Sequence, residues 1–169
     1  MDAVLQRLLE EREPGIVGGP PRALGEAVGD DAFLCGDGRG QEDRREGGRP
    51  RRYTAHVAPG HGGAPPPLVI ALHGGFGNPY AIELESGLAA VADRNGFAVA
   101  YPEGLGKGGI GRSWNGGTCC GPPWERKVDD VAFIAAVVDD LGRRVAIDPG
   151  RIYATGLSNG AIMREPARG

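Results

Sequence analysis

Residues 151–163, with the sequence RIYATGLSNGAIM, decide the fold of this chain. The apolar and β-branched residues at its start predict a strand at residues 151–154, and the small apolar residues at its end predict the start of a helix. Between them, GLSNG at residues 156–160 fits G-x-S-x-G, the pattern of a sharp strand-to-helix turn that presents a nucleophilic serine. Because the expected strand precedes the turn and the expected helix follows it, the sequence predicts Ser158 as a nucleophile.

The two glycines of this pattern are required for a steric reason. In such a turn, a side chain two residues before or after the serine would collide with the neighbouring backbone. The helix that begins after the serine offers N–H groups and the positive end of its dipole to an oxyanion that develops on a substrate. We therefore predict the Asn159 N–H as one oxyanion donor.

Segments upstream of the turn predict an α/β domain. The apolar runs at residues 68–72 and 97–101 are typical of strands buried on both faces, as in a parallel sheet that helices cover. Helices are predicted at residues 80–96 and 128–145. The order strand, helix, strand, helix, strand predicts a mostly parallel sheet with flanking helices. The residues expected on the buried face of the first helix are Leu84, Leu88 and Val91.

The N-terminal segment differs in composition from the rest of the chain. The sequence has 31 glycines and 14 prolines, and many of them fall in residues 13–66 with little apolar periodicity. We expect a short amphipathic helix that ends at Pro14, a poorly ordered linker that continues to residue 50, and an edge strand at residues 53–57. The predicted division is an N-terminal helix and linker at residues 1–50 and an α/β domain at residues 51–169.

The strand predicted at residues 68–72 ends in His73-Gly74-Gly75. In enzymes with a G-x-S-x-G turn, the loop at this place donates the second N–H of the oxyanion hole, and glycine lets the backbone approach the substrate oxygen. We predict that the second donor is the N–H of Gly75 or of Phe76. His73 is expected to pack under this loop as a structural residue, because it lies on the wrong side of the site to act as a base.

Residues 104–123 are rich in glycine and longer than an ordinary connection, which favours a functional loop. The loop starts with GLGKGG, which matches G-x-G-x-x-G, but the residues that follow cannot open a helix as a dinucleotide-binding site requires. No cofactor is therefore expected. Trp114 and Asn115 are candidates for a substrate loop, and they either line an acyl or sugar subsite or anchor the loop. Asp129 and Asp130 are expected to cap the next helix rather than to form a catalytic pair.

The composition excludes several classes of partner. With 19 basic and 22 acidic residues and a net charge of −3, the chain offers no basic face for nucleic acid. No apolar stretch approaches the ~20 residues that a membrane span needs. Its three cysteines and three histidines lack metal-ligand spacing, so no metal site is expected. Adjacent cysteines rarely bond to each other, so Cys119 and Cys120 are expected to be free or to have separate partners, for which Cys35 is a candidate.

A family resemblance rests on five segments, which are PLVIALHGGFGN, GFAVAYPEGLG, SWNGGTCCG, VDDVAFIAAVVDDL and DPGRIYATGLSNGAIM. Together they resemble the polyhydroxybutyrate depolymerase-like esterases, a group of α/β hydrolases that includes feruloyl and acetyl xylan esterases, over residues 52–163. The resemblance implies a serine esterase with Ser158 as nucleophile, no cofactor, and a polyester or plant cell-wall ester as substrate. Because the family's members are mostly secreted, it also implies an extracellular protein, although residues 1–15 show no export signal.

The chain departs from that family after the serine. The family's catalytic acid and histidine both follow the serine, but the 11 residues after Ser158 contain no histidine and a single acid, Glu165. Pro166 also interrupts a helix that continues for several turns in the family. We expect an incomplete α/β-hydrolase fold, truncated at its C-terminus, that is weakly active or inactive by itself. The alternatives are a non-catalytic remnant or interaction module, and a serine peptidase of the same fold.

Overall fold

The computed structural model describes residues 33–38, 51–59, 64–107 and 110–164. None of the helices in these ranges has the length and apolar character that crossing a membrane requires. The predicted helix ending at Pro14 lies outside the described residues. The elements in chain order are β1 (Phe33–Gly38), β2 (Arg51–Val57), β3 (Leu68–Leu72), α1 (Pro79–Ser86), α2 (Leu88–Asn95), β4 (Ala98–Pro102), β5 (Leu105–Lys107), β6 (Ile110–Ser113), α3 (Gly121–Glu125), α4 (Asp130–Arg144), β7 (Ile152–Gly156) and α5 (Asn159–Arg164).

The main sheet has five strands in the order β1-β2-β4-β3-β7. Strand β3 runs parallel to both of its neighbours, β4 and β7, whereas β2 pairs antiparallel with β4 and with β1. Strands β5 and β6 form a separate antiparallel hairpin. The sheet is therefore mixed, and the predicted α/β class is confirmed, with its parallel strands in the places that the apolar runs predict.

Helices cover both faces of the sheet. Alternate residues of β3 and β4 point to opposite faces, so each strand contributes side chains to both. The face under α4 contains Leu68, Ile70 and Leu72 of β3. The opposite face, which α1 and α2 cover, contains Ala71, Val99 and Tyr101. Both strands are thus buried on two sides, as their continuous apolar sequences predict. The side chains that α4 buries in this core are Phe133, Ile134, Val137, Val138 and Leu141.

The linker prediction is wrong at residues 33–38, because this segment forms strand β1. Its backbone pairs with β2 along its whole length, from Phe33 opposite His56 to Gly38 opposite Arg51. Strand β2 is consequently an interior strand between β1 and β4, not the predicted edge strand. The pairing partner lies more than ten residues away in sequence, so local composition did not reveal it.

The prediction of one continuous helix at residues 80–96 is also wrong, because the chain forms two helices that meet at Gly87. Gly87 has a φ of 61°, a left-handed conformation that glycine adopts readily, and its N–H donates to the Glu83 carbonyl at 3.0 Å. Leu84, predicted on the buried face, has 71% of its surface exposed. Leu88 and Val91 are half-buried, as expected from their position on α2.

The glycine-rich segment at residues 104–123 is more regular than the predicted loop. It contains the β5–β6 hairpin and the short helix α3, which starts at Gly121 just before two prolines. Proline at the first turn of a helix has a favourable φ and lacks only an N–H that would have no helical partner. The remaining connection, residues 114–120, is short and joins the hairpin to α3.

A buried ion pair connects β2 to α4. The Arg51 Nη2 atom lies 2.6 Å from Asp130 Oδ1, and both side chains are almost completely buried. Asp130 Oδ2 also accepts a hydrogen bond from the Asn115 N–H at 2.7 Å, and the Arg51 guanidinium lies 3.8 Å from the centre of the Phe133 ring. Burial raises the pKa of Asp130, and the Arg51 charge opposes this effect. A buried charge needs such partners, so the pair fixes β2, α4 and the 114–120 connection relative to one another.

The two adjacent acids at the start of α4 are expected to differ in their effect on stability. Asp129 is exposed and caps the helix by accepting from the Ala132 N–H at 3.0 Å. We predict that Asp129→Ala lowers the free energy of unfolding by ~1 kcal/mol. Asp130→Ala leaves Arg51 buried without its carboxylate and is expected to cost ~3–5 kcal/mol. Urea unfolding of both variants measures the difference, and equal losses would contradict the assigned roles.

Candidate active site

Ser158 lies on a tight turn between β7 and α5. Its φ is 50°, so a non-glycine residue holds a left-handed conformation, and its side chain is exposed. Such a conformation costs roughly 1–3 kcal/mol, and residues strained in this way cluster at active sites and ligand-binding sites. Two backbone hydrogen bonds hold the turn, from the Leu157 N–H to the Leu72 carbonyl at 3.0 Å and from the Gly160 N–H to the Leu157 carbonyl at 2.9 Å. The turn therefore presents the Ser158 hydroxyl above the end of β3.

The glycines two residues before and two residues after the serine lie in close contact with main-chain atoms, as the sequence predicts. A Cβ atom on Gly156 would lie 2.6 Å from the Gly160 carbonyl carbon. A Cβ atom on Gly160 would lie 2.5 Å from the Leu72 oxygen and 2.6 Å from the His73 oxygen. These neighbours are main-chain atoms of the first turn of α5 and of the end of β3, so they cannot move aside as a flexible side chain would.

Gly160→Ala is therefore expected to destabilise the fold and disturb the serine turn. We predict a loss of ~3 kcal/mol in the free energy of unfolding, because the added methyl group forces the turn away from β3. Gly142→Ala is the matched control, since Gly142 lies within α4 and no atom is found within 4 Å of its added Cβ. That change should instead stabilise the chain by ~1 kcal/mol. Urea unfolding distinguishes the two, and a tolerated Gly160→Ala would contradict the close approach.

The loop after β3 lies beside the serine turn. A Cβ atom placed on Gly74 would be 3.6 Å from Ser158 Cβ, and one placed on Gly75 would be 3.9 Å from Asn159 Cβ. The structure thus brings together Ser158, Asn159 and the His73-Gly74-Gly75 loop, which the sequence singled out separately. The chemical consequence is that two main-chain segments with N–H groups converge on the space next to one hydroxyl.

The two N–H groups that were alternatives for the second oxyanion donor differ in their partners. The Phe76 N–H donates to the Arg112 carbonyl at 2.7 Å. Within the described part of the chain no acceptor is found for the Gly75 N–H. Phe76 has a φ of 65°, and its ring is 88% exposed and packs beside Gly111 of β6. Of the two groups, the Phe76 N–H is therefore the one that is bonded to the hairpin.

His73 is completely buried beneath this loop, and both of its ring nitrogens bond to the main chain. Its Nε2 accepts from the Gly104 N–H at 3.0 Å, so the proton is on Nδ1, which donates to the Gly74 carbonyl at 2.7 Å. Burial is the largest cause of a lowered pKa for this imidazole, which keeps the ring neutral. His73 has the structural position that the sequence predicts, and neither nitrogen is available to take a proton from Ser158.

The lowered pKa of His73 predicts a pH dependence of stability. Because the unfolded chain binds the proton near pH 6.5 and the folded chain only at lower pH, the free energy of unfolding falls as the pH drops below about 6.5. The stabilising contribution of the neutral ring is fully present above that pH. We expect His73→Gln to weaken this dependence, measured by urea unfolding at several pH values between 5 and 8. An NMR titration that gives His73 a pKa above 6.5 would contradict it.

The structure assigns Trp114 and Asn115 to anchoring the loop, one of the two alternatives. Trp114 is fully buried, so lining a substrate subsite is wrong for this residue. Its indole Nε1 donates to the His73 carbonyl at 2.8 Å, and the two rings are 5.0 Å apart. Asn115 bonds to Asp130 and, through its side chain, to the Val128 carbonyl at 2.8 Å. Both residues therefore connect the hairpin to the protein interior.

The Asn159 side chain is a site residue that sequence reasoning missed, since only its N–H was considered. This buried amide forms hydrogen bonds with both main-chain groups of Trp114. Its Oδ1 accepts from the Trp114 N–H at 2.7 Å, and its Nδ2 donates to the Trp114 carbonyl at 3.1 Å. The two residues are 45 positions apart, and no spacing rule links them. The signal in the sequence that could have indicated this role is the polar residue directly after Ser158 in the G-x-S-x-G pattern.

The prediction that Cys119 and Cys120 do not form a disulfide with each other is wrong. Cys119 and Cys120 form a disulfide with each other, and the peptide bond between them is cis. The carbonyl of Cys119 accepts from the Gly116 N–H at 2.6 Å, and the carbonyl of Cys120 accepts from the Ser113 hydroxyl at 3.3 Å. The pair thus belongs to the connection at residues 114–120, in which Gly116 lies close to Ile162 of α5.

The family is settled by comparison with known sequences. The sequence model of the esterase PHB depolymerase family matches residues 51–165. The chain belongs to this family. It is 39% identical over 121 residues to NocK of Nocardia uniformis subsp. tsuyamanensis, which is named an esterase, with 69% of this chain and 33% of that protein covered. It is also 35% identical over 97 residues to feruloyl esterase B of Piromyces equi, with 57% of this chain and 17% of that protein covered.

A solved structure shows the same fold. Acetyl xylan esterase from Aspergillus awamori matches with a TM-score of 0.53 over 78% of this chain and 46% of its own, at 16% identity. At that identity the likeness concerns the fold alone, and it agrees with part of an α/β-hydrolase fold. The chain spans about half the length of this esterase structure and a third or less of the length of the two curated relatives.

Proposed function

We propose that this chain carries the nucleophile and the oxyanion hole of a carboxylic ester hydrolase. The observation that carries the proposal is the left-handed turn at Ser158, which lies beside the Gly74-Gly75 loop at the ends of two parallel strands. Membership of the esterase PHB depolymerase family supports the same chemistry. Its substrates would be polyhydroxyalkanoates or feruloyl and acetyl esters, because these are the ester classes that the family and the relatives are named for.

In the proposed reaction, Ser158 Oγ attacks the carbonyl carbon of the ester, and the carbonyl oxygen becomes an oxyanion. The N–H groups of Gly75 and Asn159 stabilise that charge, and we assign Gly75 rather than Phe76 because the Phe76 N–H is bonded to Arg112. The C–O bond of the ester then breaks, the alcohol leaves with the proton from Ser158, and an acyl-serine remains. Water adds to the acyl group, releases the acid and restores the serine hydroxyl.

The proton of Ser158 needs an acceptor, and we propose that this chain by itself lacks an efficient one. All three of its histidines precede Ser158 in the sequence, whereas the general base follows the nucleophile in the order that this turn predicts. His73, the histidine next to the site, has both nitrogens bonded to the main chain. Hydrolases without a triad keep an acceleration of roughly 10³–10⁴ over water from the oxyanion hole and binding, and we expect this chain to reach that range at most.

Release of p-nitrophenolate from p-nitrophenyl acetate tests this proposal on the full 169-residue chain. We expect slow release, far below the median turnover of ~10 per second for enzymes, and its loss in Ser158→Ala. Ser86→Ala is the control, because Ser86 is an exposed serine on α1 outside the site. Turnover at an ordinary enzymatic rate that depends on Ser158 would contradict the missing base. Equal release by the wild type and Ser158→Ala would contradict the nucleophile and favour a non-catalytic interaction module.

We also infer that the protein acts outside the cell, because polyesters and plant cell-wall esters are polymers that a cell cannot take up whole. The expected result is that an antibody against the chain detects it in the culture medium. Detection in the cells and never in the medium would contradict this inference.

A further inference from the structure

Besides its N–H group, Asn159 has a side chain that contacts the protein interior. Its N–H is a proposed oxyanion donor, whereas its amide points into the protein and is 4% exposed. There it forms two hydrogen bonds with the main chain of Trp114, at 2.7 Å to the N–H and 3.1 Å to the carbonyl. Buried polar groups that are fully hydrogen-bonded rigidify the structure around them, so these two bonds restrain Asn159 as well as Trp114.

Trp114 connects this amide to the oxyanion loop. Its indole N–H donates to the His73 carbonyl at 2.8 Å, and its ring lies against the His73 imidazole. The His73 carbonyl belongs to the peptide group that joins His73 to Gly74. Trp114 therefore holds the first peptide group of the loop, while Asn159 holds Trp114.

The His73 imidazole continues the connection to the second donor. Its Nδ1–H donates to the Gly74 carbonyl at 2.7 Å, and the Gly77 N–H donates to the same oxygen at 3.0 Å. The Gly74 carbonyl and the Gly75 N–H belong to one planar trans peptide group, in which the two point in opposite directions. Fixing the Gly74 oxygen towards the interior therefore directs the Gly75 N–H outwards, beside the serine turn.

We propose that Asn159, Trp114 and His73 form a positioning network that sets the two oxyanion N–H groups relative to each other. The network is a series of buried and partly buried hydrogen bonds that begins at the residue carrying one donor and ends at the peptide group carrying the other. This inference rests on the proposed function. The three side chains do not touch the reacting atoms, so they are positioning residues that act through main-chain groups.

The network makes a specific kinetic prediction. Removing one oxyanion donor outright costs about 10²–10³ in rate, so loosening a donor that remains present should cost less, about 10- to 100-fold. The loss should fall on the step in which the tetrahedral species forms, because the charge that the donors stabilise develops there. Binding of the uncharged reagent before that step should not change.

A p-nitrophenyl alkylphosphonate ester measures that step in the full chain at pH 9, where solvent hydroxide can take the serine proton. Ser158 Oγ forms a bond to phosphorus, the bond from phosphorus to the aryl oxygen breaks, and p-nitrophenolate leaves. Saturation kinetics separate the limiting rate of modification from the concentration that gives half of that rate. Mass spectrometry identifies the modified residue, and Ser158→Ala gives the background.

Two variants interrupt the network without removing either N–H donor. Asn159→Ala removes both bonds to Trp114, and Trp114→Phe keeps an aromatic ring in the core but removes the bond to the His73 carbonyl. Trp124→Phe is the matched control, because Trp124 is a half-exposed residue of α3 whose indole N–H donates to the Gly117 carbonyl at 3.1 Å, outside the network. Circular dichroism verifies that each variant is folded, and Trp114→Phe continues the test if Asn159→Ala is not.

We expect the limiting rate to fall about 10- to 100-fold in Asn159→Ala and Trp114→Phe, with an unchanged half-saturating concentration, and Trp124→Phe to match the wild type. A folded Asn159→Ala or Trp114→Phe with the wild-type limiting rate would overturn the network. A change confined to the half-saturating concentration would also overturn it, since that result indicates a binding role. No modification of the wild type above the Ser158→Ala background would overturn the proposed function itself, which is a distinguishable outcome.

Discussion

The site depends on the close approach of the serine turn to the end of β3. Strands β3 and β7 are parallel neighbours with Leu72 opposite Gly156, so their carboxyl ends meet at one edge of the sheet. The Leu157 N–H bonds to the Leu72 carbonyl, and Gly160 lies so near the Leu72 and His73 carbonyls that no side chain fits there. Because β3 leads into the Gly74-Gly75 loop and β7 leads into the Ser158 turn, this one contact sets the distance between the loop and the turn.

Buried polar side chains lie in the interior next to the site, and they form two groups that meet at the neighbouring residues Trp114 and Asn115. Trp114 bonds to Asn159 and to the loop after β3, whereas Asn115 bonds to Asp130 and so to the buried ion pair with Arg51. The first group connects the serine turn to the loop after β3. The second group fixes α4 and β2, which lie further from the reacting groups. The connection at residues 114–120 is therefore the place where the stability of the fold and the geometry of the site are joined.

The elements that the sequence predicts well are those with local physical causes. The buried strands follow from continuous apolar runs, and the serine turn follows from glycines that must lie against backbone. The elements that it does not predict depend on partners far along the chain. Strand β1 exists through pairing with β2, and the β5–β6 hairpin is supported by the bond from the Phe76 N–H to the Arg112 carbonyl. The helix break is an exception with a local cause, since Gly87 adopts a left-handed conformation that the apolar periodicity does not reveal. Trp114 illustrates the same limit. The sequence around it fits a substrate loop or a loop anchor equally well, and only the burial of its side chain distinguishes the two.

The use of His73 explains why oxyanion stabilisation and proton transfer require different residues in this architecture. A general base must bind and release a proton near the working pH, so at least one ring nitrogen must face the nucleophile. In His73 one nitrogen accepts from the Gly104 N–H and the other orients the Gly74 carbonyl, and burial disfavours the charged ring. Protonating it would break the bond from Gly104 and disturb the peptide group that carries the Gly75 N–H. A histidine bonded in this way cannot also take a proton from Ser158, so in the reaction that we propose the base is a different residue.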